Sequence, residues 1–205
     1  MKSAIDKISR LLAQETSSSS ASSDAEIYAY ALKILLLNIS AAAGIIVVSW
    51  MLGTLPVTLV TWAAAFSLRV VAGGRHQPGP VTCLLTTVGI FTALGYLVTA
   101  VAPRMQEFIV PVSALGLVFT LYVIITYAPV TIASKQFSPA KRSKLKMTSV
   151  GVVVLWAAVV LAPAPATAGH QAAALGITAG LVTQAISLLP IRLPGSKLQA
   201  GRYSA

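Results

Sequence analysis

Long apolar runs alternate with short polar or proline-containing breaks along the whole of this chain. The runs 28–50, 55–72, 81–102, 106–126, 148–166 and 172–190 are each near the roughly 20 residues that carry an α-helix across a bilayer core. The breaks are of the kind that ends helices. Gly53 and Pro56 mark a short turn, and the stretch from Gly73 to Pro80 holds three glycines and two prolines. Pro103 and Arg104 close the third run, Pro163 and Pro165 the fifth, and Pro190 the sixth, while a basic loop occupies 127–147. Within hydrocarbon a backbone must satisfy its own N–H and C=O groups, and a helix does so internally. The pattern predicts an all-α polytopic membrane protein with about six transmembrane helices.

Residues 1–16 differ. Ile5, Ile8, Leu11 and Leu12 recur at helical spacing, opposite Lys2, Asp6, Lys7 and Arg10. This predicts an N-terminal amphipathic helix, suited either to an anionic leaflet surface or to packing on the body of the protein. No apolar leader precedes the first run, which is expected to act as its own insertion signal. A Ser-rich linker follows at 17–23, too poor in apolar residues to fold. The expected organisation is an amphipathic helix and linker at 1–23, a six-span membrane domain at 24–191, and a tail at 192–205.

Composition agrees. Apolar residues make up 56% of the chain and charged residues 10%, against about a quarter charged in a soluble domain; mean hydropathy is +0.82. The net charge of +10 raises nucleic acid as a partner, but the basic residues sit between apolar runs with no aromatic platform among them. Topology explains them better. With both termini inside, Lys2, Lys7, Arg10, Lys33, Arg69, Arg75, Lys135, Lys141, Arg142, Lys144, Lys146, Arg192, Lys197 and Arg202 all fall on the cytoplasmic side. Only Arg104, beside Glu107, of the 15 basic residues falls outside. The positive-inside rule therefore predicts N-in/C-in.

The single cysteine, Cys83, excludes an intrachain disulfide and a thiolate metal cluster; no metal or cofactor is expected. It follows His76 by seven residues, but Pro78 and Pro80 forbid one unbroken helix between them. The expected geometry puts His76 on the glycine-containing loop and Cys83 in the first turn of the third span, with Pro80 or Val81 starting that helix. There the helix dipole and unpaired N–H groups favour an anionic sulfur. His76 can then take the thiol proton and return it to a leaving amine. The bland reading is that Cys83 is a small packing residue and His76 a polar loop cap. Arg69, a charge inside the end of the second span, is a functional candidate by default or a residue snorkelling to the interface. Gly73 and Gly74 suit either close approach of a peptide or an ordinary turn. Gln184 and Ser187, three apart on one face of the sixth span, either line a reaction chamber or bond a neighbouring helix. His170 is expected to be simply solvated.

The stretch Arg69-Val-Val-Ala-Gly-Gly-Arg-His76-Gln-Pro-Gly-Pro-Val-Thr-Cys83 resembles the active-site segment of the accessory gene regulator B (AgrB) family, membrane cysteine endopeptidases that process quorum-sensing propeptides. Tyr127-Ala128-Pro129 with the basic stretch after it, and Gln184-Ala-Ile-Ser-Leu-Leu-Pro190, match further family motifs in order, as does Tyr30-Ala-Leu-Lys33 at the start of the first span. The resemblance implies a bacterial plasma-membrane protein with its active site on the cytoplasmic side, Cys83 as nucleophile and His76 as base. It implies cleavage near the C-terminal end of a propeptide that carries an amphipathic helix and an acidic tail. The product is a thioester acyl-enzyme from which a thiolactone ring can close. Lys135, Lys141 and Arg142 would attract the acidic tail, although positive-inside topology alone accounts for them. The chain departs from the family at Thr131-Ile-Ala-Ser-Lys135-Gln136, where relatives often have a lysine-rich run ending in proline, and at Tyr30-Ala-Leu-Lys33, with alanine and lysine in place of glycine and glutamate. Membrane lipid is the other expected partner. Small residues (Ala41, Ala42, Ala43 and Gly44; Gly89 and Gly95; Gly176 and Gly180) suit close helix packing, a homodimer included. The competing function is a small permease or peptide exporter without proteolytic activity. Against it, Arg69 is the sole charge well inside a span, whereas transport paths often carry such groups.

Overall fold

The structure, a computed structural model, describes residues 22–74, 79–129, 138–162 and 167–190. The described residues form six long helices: α1 (Ser22–Met51), α2 (Leu55–Ala72), α3 (Pro80–Val101), α4 (Ile109–Tyr127), α5 (Pro139–Leu161) and α6 (Ala168–Leu188). Two short 3₁₀ turns, Ala102–Arg104 and Gln106–Phe108, join α3 to α4. All six are long and apolar enough to cross a membrane. The expected amphipathic helix at 1–16 and the tail at 192–205 lie outside the described residues.

Helix boundaries follow local chemistry. Pro stands in the first turn of α2, α3 and α5, where its missing N–H costs nothing and its fixed φ is already helical. Thr167 caps α6 by accepting from the His170 N–H, and Ser138 caps α5 by accepting from the Lys141 N–H at 3.4 Å. That second cap corrects one expectation. The basic stretch before 148 is not all loop, because α5 begins at Pro139 and carries Lys141, Arg142, Lys144 and Lys146 on its first turns. Nothing between Ser138 and Thr148 breaks a helix, and lysine, arginine and leucine favour one. The buried face of α5 nevertheless begins only at Ser149, so a hydropathy reading that starts the span at 148 marks where packing starts rather than where the helix does. At its far end α5 stops at Leu161, short of the expected 166, because the residue before Pro163 is driven to extended geometry (Ala162 ψ 138°). The first helix also runs longer than expected, from Ser22 through 30 residues, about 45 Å.

Across their apolar stretches the helices are hydrophobic nearly all round, as lipid-facing helices are. One of them is buried by protein instead. In α6, 56% of the span is buried, against 17–33% in the other five, and α6 touches α2, α3, α4 and α5. It also has the lowest hydropathy of the six. A helix surrounded by protein has no lipid to satisfy, so small and polar residues serve it better than large apolar ones. Gly176 and Gly180 let α6 approach α2: a Cβ on Gly176 would lie 2.7 Å from Thr61 Oγ1, and one on Gly180 would collide with the Thr61 carbonyl. The other small residues are used in the same way. Gly95 takes Thr58 of α2 against it, and Gly44 of α1 meets Val88 of α3, whereas Gly89 has open space around it. These close approaches are therefore made within the chain.

Among the described residues, several buried hydroxyls bond to the backbone one turn earlier, whereas Ser113 and Thr120 of α4 are buried with no hydrogen-bond partner. Thr61 donates to the Val57 carbonyl (2.7 Å), Thr92 to Val88 (2.7 Å) and Ser49 to Ile45 (2.6 Å), which permits polar side chains where water is absent. Trp156 Nε1 of α5 donates across to Ser67 Oγ of α2 at 3.0 Å.

Candidate functional site

The end of α2 carries Arg69, whose carbonyl accepts the Gly73 N–H at 3.0 Å. The chain then leaves the helix through two residues in conformations that resist a side chain, Gly73 at φ 77° and Gly74 at φ 154°. Because α2 and α6 run in the same direction, with Thr61 against Gly176 and Gly180, the end of α6 arrives beside these glycines. Gln184, only 4% exposed, donates from Nε2 to the Gly73 carbonyl at 2.7 Å, across 111 positions of sequence. Ser187 donates its hydroxyl to the Gln184 carbonyl at 2.7 Å. A Cβ placed on Gly74 would lie 3.0 Å from both Gln184 Nε2 and Ser187 Oγ, and 3.6 Å from Arg69 Nη1. Three side chains from two helices thus converge on one glycine. Arg69, Gly73, Gly74, Gln184 and Ser187, separate candidates in the sequence, form one cluster.

Cys83 stands where the prolines place it, one turn into α3 and half-buried. Its N–H donates to the Gly79 carbonyl at 2.9 Å, the first helical bond of α3, and its own carbonyl accepts Thr87 Oγ1 at 2.7 Å. Gly79 is extended and supplies no side-chain cap. The amides of Val81 and Thr82 precede that first helical bond, so they have no partner within the helix. Only residues 75–78 separate Gly74 from Gly79, a span of no more than about 19 Å. Covalent connection alone keeps the start of α3 near the cluster.

His76 lies outside the described residues, as does Lys135. Lys141 and Arg142 are exposed on the first turns of α5, which runs antiparallel to α4 and α6 and so starts at the cluster's end of the bundle. His170 is at the other end, where it is half-buried and, with Gln106, Ser113 and Gln171, lines an open cavity between the start of α4, the end of α5 and the start of α6. Sequence reasoning did not include Thr61 among the residues that build the site. Its partners Gly176 and Gly180 were visible as a four-residue repeat of glycine, but the helix they face was not.

A family model described as Accessory gene regulator B matches residues 5–188 of the chain. Neither the curated proteins nor the solved structures contain a significant match to it.

Proposed function

This chain belongs to the accessory gene regulator B family, as a multi-pass membrane protein with a role in quorum-sensing peptide processing, and from that premise we propose that it is a cysteine endopeptidase. The observation that carries the proposal is Cys83 in the uncapped first turn of α3, tied by a four-residue segment to the cluster at Gly73 and Gly74. That segment contains His76. In the proposed reaction the Cys83 sulfur attacks the scissile carbonyl of a propeptide and its proton passes to His76. The tetrahedral intermediate collapses with loss of the C–N bond. His76 hands the proton to the departing amine, and an acyl thioester is left on Cys83. The N–H groups of Val81 and Thr82 are suited to stabilise the oxyanion. An internal thiol of the propeptide then attacks the thioester, closing a thiolactone and restoring the Cys83 thiol. A thioester keeps the acyl group activated, and a membrane boundary limits the water that would compete for it.

The test is the acyl-enzyme. Protein in liposomes is mixed with a synthetic propeptide having an amphipathic N-terminal helix, a central cysteine and an acidic tail. Intact-mass spectrometry should find the released tail together with an adduct on Cys83 that hydroxylamine removes. A released tail with label on any other residue would sink the mechanism.

Substrate capture is proposed to involve the basic first turns of α5. Neutralising Lys141 and Arg142 together (K141Q/R142Q) is expected to raise KM several-fold at low salt with little change in kcat. The effect should shrink as ionic strength rises and the Debye length falls to about 3 Å near 1 M. Equal KM values at all salt concentrations would leave these residues with topology alone.

A further inference from the structure

We propose that the cavity at the end of the bundle opposite Gly73 is a lipid site: it takes one bilayer lipid by an ester carbonyl of the glycerol backbone, with the buried Ser113 hydroxyl as donor. The cavity, about 160 Å³ in volume, lies between the start of α4, the end of α5 and the start of α6. Neither Cys83 nor the cluster at Gly73 and Gly74 lines it, so the inference is independent of the peptidase reading.

Ser113 is fully buried, and its Oγ has no hydrogen-bond partner, whereas Ser49, Thr61 and Thr92 each donate to the carbonyl four residues earlier. A hydroxyl left unpaired away from water is destabilising, so one that borders a cavity marks a place for an acceptor. Thr120, two turns further along α4, is likewise unpartnered, but of the two only Ser113 lines this cavity. Gln106, His170 and Gln171 stand around the same space, and each can donate from a side-chain N–H. None of the described lining residues carries a carboxylate, an ammonium or a guanidinium, which suits a neutral acceptor such as an ester carbonyl. The apolar part of the lining says where that acceptor comes from. Val110 and Leu161 are 63% and 51% exposed, on helices long and apolar enough to cross a membrane, so this rim belongs to the surface that lipid covers. Ile109, Val160 and Ala174 continue the lining and are buried. Depth agrees. The 19 residues of α4 span about 28 Å, close to the roughly 30 Å of a hydrocarbon core. With Ile109 at one boundary of that core, Ser113 lies about 6 Å inside it, next to the layer where headgroups give way to acyl chains. Water alone fits poorly, because the space is roughly ten times what one water needs and each water requires about two to four polar partners. An acyl chain fills the apolar part instead.

The experiment uses full-length protein in lipid-free detergent micelles, titrated with dioleoyl phosphatidylcholine or with the diether analogue that has the same chains and headgroup but no ester carbonyl. Native mass spectrometry reads how much lipid each protein retains. Wild type is expected to hold one diester lipid about 3- to 10-fold more tightly than the diether, the range for a single hydrogen bond. Ser113→Ala removes the donor and should erase that preference, so that the two lipids bind alike. Its thermal midpoint without lipid should equal or exceed that of the wild type, because an unpaired buried hydroxyl has been removed. Phosphatidylglycerol in place of phosphatidylcholine should leave the ester preference as it was. Equal retention of diester and diether by the wild type would overturn the proposal, and so would an ester preference that survives in Ser113→Ala. A lowered midpoint of Ser113→Ala without lipid would also overturn it, since the hydroxyl would then be satisfied already, by water or by protein. A tight lipid selected by headgroup charge and not by its ester would do the same, making this a headgroup site.

Discussion

Replacing Cys83 with alanine is expected to abolish release of the C-terminal fragment, lowering turnover by at least about 10⁴-fold, on the scale seen when a covalent nucleophile is removed. The residue is the chain's single cysteine, so no second thiol in the protein can substitute. Its surroundings make the variant easy to read. Cys83 is half-buried in a first turn, and its backbone bonds to the Gly79 carbonyl and accepts from the Thr87 hydroxyl. Alanine keeps that backbone and has the higher helix propensity. Thermal stability should therefore stay close to wild type while activity disappears, which separates a chemical loss from a structural one. The propeptide should still bind, because the basic turns of α5 are untouched. Cleavage by Cys83→Ala at the wild-type rate would falsify the mechanism outright.

Gly180→Leu should do the opposite, removing activity through the fold. A Cβ at this position collides with the backbone carbonyl of Thr61, not with the far end of a side chain that could swing aside. The α2–α6 pair must separate. Overpacking of this kind costs about 1–3 kcal/mol, sometimes more, and here it also lifts Gln184 away from Gly73, so activity is lost along with stability. The matched control is Gly89→Ala on α3, where nothing lies within 4 Å of the added Cβ. That change should be neutral or stabilising by up to about 1 kcal/mol, the helix propensity difference. Denaturation of both variants in mixed micelles by sodium dodecyl sulfate, followed by circular dichroism, checks the pair. An unshifted Gly180→Leu midpoint would mean that α2 and α6 do not pack closely here.

Proline punctuation was informative at the level of elements. The prolines at 56, 80 and 139 all fall in the first turns of helices, because a proline ring suits a first turn and disrupts an interior. The same reasoning placed Cys83 one turn into α3. Misjudged boundaries arose where hydropathy and helicity part company. Lysine and arginine are poor membrane residues but good helix formers, so the amphiphilic start of α5 reads as a loop to a hydropathy scale and folds as a helix.

The members of the cluster at Gly73 and Gly74 were visible singly in the sequence but not as an arrangement. Gln184 and Ser187 stood out as polar positions in an apolar span, with substrate and packing readings both open, and nothing in a single sequence joins Gln184 to a carbonyl 111 positions away. What the sequence by itself determined is the class of the protein, six apolar spans, and a cysteine at a helix start a few residues after a paired-glycine break. Those features follow from local rules: transfer of side chains into hydrocarbon and the dihedral limits of proline and glycine. Only the tertiary structure decided that α6, the least hydropathic helix, lies at the centre, that its glycines are used against Thr61, and that its last turn holds Gly73. Helices that are apolar nearly all round carry no periodic mark of their inner face, so which faces meet is settled by the fit of small residues against a neighbour's backbone.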